Sequence, residues 1–479
     1  MRTKPLAAAL AATLAATCLA LPPASSAATG TTTRGDATVA AQLKAMQAEI
    51  DALKSQNTAL QSKISTLQPQ LDALAKQQRA AAAGAPTAHE TAAASVAKVA
   101  PKKQRATAGK ANEPPKPRWD TATTHSNDTG ITVGGAVRFQ YTTGNYDREI
   151  KHRHGDMQFD IFRLDLDGKV HGILLSAQWR WFTYMSAMQH AWIGYDLTPH
   201  SRVQVGLTRI PFGNQPFDSH SYFFSSNYYL GLEDTYGFGA EYIHKTDRWN
   251  LQAAFFKNDA TGSVGASTDR TNSYSYDVVG VRKPGEPISA PPSQPAGAIN
   301  TAAVRVARIF APAADLQLTV GASALYGAIN NPVHRIGRHS AYALNANVKY
   351  GRWNFQAQAS RYAYDTYDGA TAMAVGAYAF YDTIAARANT YTANVAYHLP
   401  FVWGPFESMD FYNDYSLVTG KSGNLPDTFM DVLGMGLSAG DLYTYFDFVT
   451  ARNQPFIGGS MAGDGKTDHR LNINFGFYF

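Results

Sequence analysis

Apolar and polar side chains alternate with a period of two from about residue 131 onward, which is the pattern of β-strands with one apolar and one polar face. The alternation is clearest in the first and last segments of this region, whose apolar positions are Ile131, Val133, Val137, Phe139 and Tyr141, then Leu471, Ile473, Phe475, Phe477 and Phe479. Turn residues divide the region into sixteen such segments. We therefore predict an all-β fold of sixteen antiparallel strands. Fourteen or eighteen strands stay open, because 274–282 or 372–380 could also pair.

The lengths of the connections distinguish a closed membrane barrel from a soluble β-sandwich, which shows the same alternation. Connections after even-numbered strands are short, whereas most of those after odd-numbered strands are long: 211–234, 258–300, 365–387 and 453–468. Short periplasmic turns that alternate with long external loops are typical of outer-membrane barrels. We predict that residues 125–479 form a transmembrane β-barrel, surrounded by lipid, in the outer membrane of a Gram-negative cell.

The first 27 residues have the pattern of a secretory signal peptide. Arg2 and Lys4 precede an Ala- and Leu-rich stretch from Leu6 to Leu21, and small residues at Ser25 to Ala27 suit cleavage. The single cysteine of the chain, Cys18, lies inside this peptide. The exported part therefore has no cysteine and must be held together without disulfides.

Residues 28–79 contain a heptad repeat that predicts an α-helical coiled coil in the periplasm. Its a and d positions are occupied by Leu43, Met46, Ile50, Leu53, Asn57, Leu60, Ile64, Leu67, Leu71 and Leu74. Asn57 is the single polar residue at an a position, and such a residue fixes the register of a coiled coil. Self-association follows, while the pattern leaves two and three strands open.

Residues 80–124 are rich in Ala, Pro and Lys and cannot bury a core, so we predict an extended spacer. The formal charge of +5 originates in the N-terminal part of the chain: residues 28–120 carry 13 bases against 7 acids, whereas 121–479 carry 27 bases against 30 acids. The basic run at 98–118 suggests a second function, a tether between the outer membrane and peptidoglycan. We expect no nucleic acid partner.

Strand parity identifies the side chains that face the lumen of the predicted barrel. By this criterion five arginines point inward: Arg138, Arg163, Arg180, Arg202 and Arg305. Five acids share the inward parity, whereas Asp160 falls on the opposite one; the five are Asp165, Asp167, Asp196, Asp410 and Asp414. Arginine offers a planar donor fork that suits carboxylate or phosphate. These arginines therefore either select anionic solutes or pair with the acids and brace the wall.

The connection 211–234 is the candidate for a loop folded into the lumen. It is long and strongly aromatic, with Phe212, Phe217, Tyr222, Phe223, Phe224, Tyr228 and Tyr229. Inside the lumen it would form a constriction that sets pore size and selectivity; the alternative is a loop that caps the outside. Arg209, Asp218 and His220 lie at or within this segment and are the candidate constriction residues.

Three segments resemble the phosphate-selective porin O and P family. They are Gly206-Leu207-Thr208-Arg209-Ile210-Pro211-Phe212-Gly213, the residues around Phe162-Arg163-Leu164, and the last strand, which ends in phenylalanine. The heptad segment ahead of the barrel is similar to the dicarboxylate-porin-like branch. The resemblance implies a sixteen-stranded homotrimeric porin that often prefers anions. A sucrose-type porin also joins a coiled coil to a barrel, and its sugar track is aromatic.

The chemistry of an enzyme is missing from the sequence: it contains no P-loop, no HExxH and no Gly-x-Ser-x-Gly motif. We expect no catalytic residue, no cofactor and no metal. The expected function is passive diffusion of small hydrophilic solutes and ions, with some preference for anions of the phosphate or dicarboxylate type. A sugar porin with an aromatic track and the cell-wall tether are the alternatives.

Overall fold

The protein is described by a computed structural model that covers residues 130–265, 269–463 and 465–479. Sixteen antiparallel strands in these ranges form one closed barrel. The strands are β1 (Gly130–Gly144), β2 (Asp156–Val170), β3 (Ile173–Trp181), β4 (Ser186–Thr198), β5 (Ser201–Arg209), β6 (Tyr236–Lys245), β7 (Trp249–Asp259), β10 (Gly297–Ala313), β11 (Leu316–Asn330), β12 (Arg335–Tyr350), β13 (Trp353–Thr366), β16 (Arg387–Trp403), β17 (Phe406–Thr419), β18 (Thr428–Ala439), β19 (Leu442–Arg452) and β20 (Thr467–Tyr478). The predicted sixteen-stranded fold is confirmed. The predicted signal peptide, the coiled coil with Asn57 and the spacer lie outside the described residues.

Both segments that left the strand count open do form strands, but they lie outside the barrel. The strands β8 (Asp277–Val281), β9 (Gln294–Pro295), β14 (Ala372–Ala377) and β15 (Phe380–Ala385) form a separate sheet in the order β15-β14-β8-β9. This sheet joins the connection after β7 to the connection after β13. A short helix, α1 (Arg148–His152), follows β1. Within the described ranges, no helix has the length and apolar character needed to cross a bilayer.

The two ends of the barrel differ in their connections. At one end, called here the turn end, the connections are 171–172, 199–200, 246–248, 314–315, 351–352, 404–405 and 440–441. At the other end, called here the loop end, the longest connections are 145–155, 210–235, 260–296, 367–386 and 453–466. The predicted alternation of short turns and long loops is therefore present.

The barrel closes between its first and last strands. The Gly135 amide donates to the Phe479 carbonyl at 2.8 Å, and the Phe479 amide donates to the Gly135 carbonyl at 3.1 Å. Alternate side chains on the strands face outward and are apolar; Val133, Ile193 and Leu344 are 60%, 57% and 67% exposed. A closed sheet with an apolar outside and a polar inside is the form in which strands span a bilayer, because each backbone group is paired within the sheet.

Candidate functional site

The connection between β5 and β6 folds into the barrel. Its residues 211–234, called here the lumen loop, bond to inward side chains on many of the strands. Along the loop, Arg305 Nε donates to the Gly213 carbonyl (2.7 Å), the Gly213 amide to Ser323 Oγ (2.9 Å), the Asn214 amide to Gln358 Oε1 (2.7 Å), Thr392 Oγ1 to Asp218 Oδ2 (2.9 Å) and the Tyr222 amide to Asp447 Oδ2 (3.2 Å). The loop therefore lies inside the lumen, against its wall, and does not cap the outer mouth.

Gly213 allows the lumen loop to approach the wall closely. Its φ is +62°, in the left-handed region that favours glycine. A Cβ at this position would lie 2.2 Å from Gln358 Oε1, which is the atom that accepts the bond from the Asn214 amide. A larger residue here would both strain the backbone and displace an anchor of the loop.

The side chain of Asp218 lies between the lumen loop and the barrel wall and does not line the open cavity. It is 1% exposed, and its carboxylate accepts bonds from Asn214 Nδ2 (2.8 Å), Asn227 Nδ2 (3.0 Å) and Thr392 Oγ1 (2.9 Å). Burial raises the pKa of Asp218 to about 6, although the three donors partly offset this effect. The side chain fastens the loop to β16 and to itself.

Glu233 joins the two arms of the lumen loop. One carboxylate oxygen accepts from the Asp218 amide (2.8 Å) and Ser219 Oγ (3.1 Å), and the other accepts from the amide (3.0 Å) and Oγ (2.6 Å) of Ser225. Burial and the nearby Asp218 carboxylate raise the pKa of Glu233 to about 8, against the bonds from Ser225 and Asp218. This fold of the loop therefore depends on a buried acid.

His220 fixes the middle of the lumen loop to the opposite wall. Its Nδ1 lies 2.8 Å from Asp414 Oδ1, its Nε2 lies 2.7 Å from Asn354 Oδ1, and its amide donates to Asp414 Oδ2 at 2.6 Å. Burial alone would lower the pKa of His220, but the Asp414 carboxylate outweighs it and the pKa is raised. The structure thus places Asp218 and His220 as anchors of the loop.

A cavity of about 1170 Å³ lies inside the barrel, lined mainly by strands β1 to β7 and the lumen loop, with further residues from β12, β19 and β20. Its lining extends from Pro199 and Lys245 at the turn end to Tyr184 and Phe456 at the loop end. Five of the arginines singled out in the sequence line it: Arg138, Arg163, Arg180, Arg202 and Arg209. They lie on β1, β2, β3 and β5: Arg163 and Arg180 are direct Cα partners, whereas Arg202 and Arg209 lie toward opposite ends of β5.

Four of these five arginines are held by carboxylates. The pairs are Arg138–Asp160 (2.8 Å), Arg163–Asp165 (2.7 Å), Arg202–Asp196 (2.8 Å) and Arg209–Asp234 (2.7 Å). Each of the four guanidinium groups also lies over an aromatic ring, at 5.3 to 5.9 Å from its centroid. These ion pairs brace the wall. Pairing of the arginines with acids is one of the two alternatives that the sequence left open.

Arg180 differs from the other four. Its Nε donates to Gln178 Oε1 at 2.7 Å, and its guanidinium lies 4.3 Å from the ring centroid of Tyr274. Among the described residues no carboxylate lies within 4.0 Å of it. It is also the direct Cα partner of Arg163 across β2 and β3. Arg163 and Arg180 therefore lie side by side on the wall, and of these two only Arg163 is paired with a carboxylate, that of Asp165.

Arg305 faces inward but does not line the cavity. It is 3% exposed and lies under the lumen loop, where its Nε holds the Gly213 carbonyl. Its inward direction agrees with strand parity. Strand parity predicts only whether a side chain faces the lumen. It therefore did not predict that the folded loop covers Arg305.

The assignment of Asp160 to the opposite parity is wrong. The β1–β2 register runs Arg138↔Ile161 and then Phe139↔Phe159, so Asp160 is the extra residue of a β-bulge. A bulge shifts the alternation of one strand by one residue. As a result Asp160 is 7% exposed, lines the cavity and pairs with Arg138.

Three further bases line the cavity and were missed by the sequence reasoning: Lys245, Lys349 and Arg470. Arg470 bonds to the Phe456 carbonyl (3.0 Å) and Asn472 Oδ1 (3.0 Å), and its guanidinium lies 5.1 Å from the Phe223 ring centroid. Strand parity could have identified these bases. On β6, for example, Lys245 shares the inward face with Glu241. In total the lining holds eight Lys and Arg against six Asp and Glu.

The aromatic residues of the lumen loop pack mainly on each other and on the small loop sheet. Phe224 stacks on Tyr228 at 4.4 Å, and the Tyr228 hydroxyl donates to the Tyr274 carbonyl at 2.9 Å and bonds to the Tyr378 hydroxyl. Phe223, Tyr228 and Tyr229 are only 3–4% exposed. These packed rings therefore stiffen the loop, and six of its aromatic residues also line the cavity.

Among known proteins, the chain is similar to several solved structures. No family model matches the chain, and no curated protein matches it. The trimer form of OmpT, an outer-membrane protein of Vibrio cholerae, is 10% identical with a TM-score of 0.47, over 74% of this chain and 100% of that chain. The outer-membrane channel DcaP of Acinetobacter baumannii is 10% identical with a TM-score of 0.46, over 73% and 97%. OmpF of Salmonella typhi in complex with daunomycin is 10% identical with a TM-score of 0.47, over 73% and 97%. These likenesses assign the chain to none of the three families.

Proposed function

We propose that the protein is an outer-membrane porin for passive diffusion of small hydrophilic solutes, with a preference for anions of the phosphate or dicarboxylate type. The apolar outer face suits a bilayer, and a barrel of sixteen strands is wide enough to enclose an aqueous channel. The cavity beside the lumen loop is the path that a solute would take.

The observation that carries the anion preference is the distribution of charge along this path. Arg138, Arg163, Arg202 and Arg209 are paired with acids and contribute little net charge. Arg180, Arg470, Lys245 and Lys349 also line the cavity, and within the described part of the chain none of them has a carboxylate within ion-pair distance. The lining also holds Asp167 and Glu241, so the cationic excess is two charges, and such an excess along the path raises the local concentration of anions.

The sugar-porin alternative requires aromatic faces that are open to the solute. Several rings of the lumen loop line the cavity, but Phe223, Tyr228 and Tyr229 expose only 3–4% of their surface, which favours the anion-selective function. We also propose that the porin forms homotrimers, as the sequence resemblance implies. Light scattering of the purified protein in detergent measures the number of copies.

Planar-bilayer recording tests the proposed function. Stepwise single-channel currents are expected after insertion of the purified protein, and the absence of such steps would refute the porin. Under a tenfold gradient of potassium chloride, the reversal potential is expected to have the sign of chloride permeation. A potassium-selective reversal potential would refute the anion preference and leave the porin function standing. Partial block by phosphate or succinate, and none by sucrose, separates the anion porin from the sugar porin.

A further inference from the structure

The outer face of the barrel carries a group of arginines at the loop end that the pore does not use. Arg338 on β12, Arg361 on β13 and Arg387 on β16 are exposed, and the side chains of Arg338 and Arg387 are 59% and 47% accessible. Their chain neighbours His339, Tyr362 and Ala388 are 7%, 2% and 2% exposed. Because side chains alternate across a strand, these three arginines point away from the lumen.

The three arginines surround one carboxylate and one amide. Asp365 Oδ1 lies 2.9 Å from Arg387 Nε, and Asp365 Oδ2 lies 3.6 Å from Arg338 Nε. Arg361 Nη1 donates to Asn389 Oδ1 at 3.2 Å. The registers Arg338↔Asp365 and Arg361↔Asn389 place the group on three adjacent strands. Three positive charges against one negative charge leave a net charge of +2.

An apolar surface begins at the height of Arg361 and continues toward the turn end. On the same outer face of these strands, Tyr342, Leu344 and Tyr391 are 56%, 67% and 46% exposed, and Tyr342 is the Cα partner of Arg361. The group therefore marks the edge where the apolar band ends. A ligand that fits this edge combines acyl chains, which cover the tyrosines and Leu344, with an anionic headgroup at the height of the arginines.

We propose that Arg338, Arg361 and Arg387 form a binding site for the phosphate groups of a phosphorylated lipid in the outer leaflet. Guanidinium groups bind phosphate oxygens through paired donors, and a cluster of arginines is a far better match for phosphate than for a zwitterionic surface. The inference rests on the outer-membrane orientation in the proposed function, with the loop end outside, but not on conduction by the pore.

Binding of purified lipopolysaccharide to the detergent-solubilised full chain tests this site. The triple variant Arg338→Gln/Arg361→Gln/Arg387→Gln is expected to lower the affinity by at least about tenfold, because charge-assisted bonds to phosphate are lost. The matched control is Arg308→Gln. Arg308 lies near the turn end, 4.5 Å over the Trp249 ring, and its removal takes away one charge far from the site. Wild-type affinity in this control, together with the loss in the triple variant, supports the proposal.

Three outcomes would overturn it. The first is equal binding by the wild type and the triple variant. The second is an equal loss in Arg308→Gln, which would show a general effect of charge. The third is unchanged lipid binding with a changed number of copies in light scattering, which would assign the arginines to contact with a second copy.

A second measurement keeps the proposal testable if the triple variant does not fold. Wild-type protein is offered the same lipid after enzymatic removal of its phosphates, and a loss of at least about tenfold in affinity is again expected. Equal affinity for the two lipids would overturn the site. Single-channel recording of the same preparations separates failure of this site from failure of the porin, because the arginines lie outside the lumen.

Discussion

The imidazole Nδ1 of His220 lies 2.8 Å from Oδ1 of Asp414, and the other oxygen of that carboxylate accepts the His220 amide at 2.6 Å. A residue of the lumen loop is thus bound twice by one side chain of β17. The same carboxylate also accepts the Ser221 amide at 2.7 Å. Asp414 therefore attaches the loop to the wall through three bonds.

Replacement Asp414→Ala is expected to loosen the lumen loop, because three donors lose a buried, charged acceptor. The cost to stability is about 3 kcal/mol or more. Single-channel recordings are expected to show larger and noisier currents than the wild type. The control is Asp410→Ala on the same strand, because Asp410 bonds to His398 at 2.7 Å and not to the loop. Equal current noise in the two variants would contradict this account.

Replacement Arg180→Gln is expected to weaken anion preference. A unit charge about 8 Å from a permeating ion contributes about 0.5 kcal/mol at the dielectric constant of water, favourable for an anion and unfavourable for a cation, so the ratio of anion to cation permeability should fall about sixfold. Reversal potentials under a salt gradient measure this ratio. The outer-face variant Arg308→Gln should leave it unchanged. A ratio that stays constant in Arg180→Gln would remove this arginine from the selectivity of the pore.

The position of the lumen loop is expected to depend on pH through Glu233. Its pKa in the folded loop is about 8, above the usual value near 4.5, so the folded loop binds the proton more tightly than the unfolded loop does. The stabilisation from the protonated acid is complete below about pH 4.5 and is lost as pH rises through about 8. Current fluctuations should therefore increase from pH 5 to pH 9.

The variant Glu233→Gln supplies the control for this pH dependence, since glutamine has the shape of the protonated acid and does not titrate. Its fluctuations should be independent of pH across the same window. A variant that keeps the full pH dependence of the wild type would assign the titration to another group.

Replacement Gly213→Ala is expected to displace the first anchor of the lumen loop. The added Cβ would lie 2.2 Å from Gln358 Oε1, and movement of that side chain breaks its bond to the Asn214 amide. The matched control is Gly351→Ala at the turn end, where φ is +55° and no atom lies within 4 Å of the new Cβ. Both variants carry the backbone strain of about 1 kcal/mol, so only Gly213→Ala should change the conductance. An identical effect of the two would exclude the contact with Gln358 as the cause.

Deletion of residues 98–118 tests the proposed tether to peptidoglycan. These residues lie outside the described part of the chain, so the tether stays a prediction. If the basic spacer contacts peptidoglycan, the deletion should reduce co-sedimentation of the protein with purified peptidoglycan while leaving single-channel currents intact. Equal sedimentation with and without this segment would eliminate the spacer as the contact.

The sixteen strands could be predicted because each one carries its own alternation of side chains, and the sequence places these segments in order. Strand parity also found the inward direction of Arg138, Arg163 and Arg180. It failed at Asp160, where the extra residue of a β-bulge reverses the alternation, because the local sequence does not reveal the bulge.

The attachments of the lumen loop could not be predicted for a different reason. His220 and Asp414 are 194 residues apart, and the Gly213 amide and Ser323 are 110 apart. No periodic pattern connects positions at such separations. The prediction that 211–234 enters the lumen therefore rested on its aromatic character, which does not specify the partner of Asp218 or His220.

These separations have a consequence for the order of assembly. The lumen loop follows β5, yet its partners Gln358, Thr392, Asp414 and Asp447 belong to strands that come much later in the chain. The loop can settle only after those strands have paired, because contacts between distant positions form late. Docking of the loop is thus expected to be the last step of maturation. A chain halted before that step would be a closed but wider tube, and the membrane would then contain a leak in place of a selective pore.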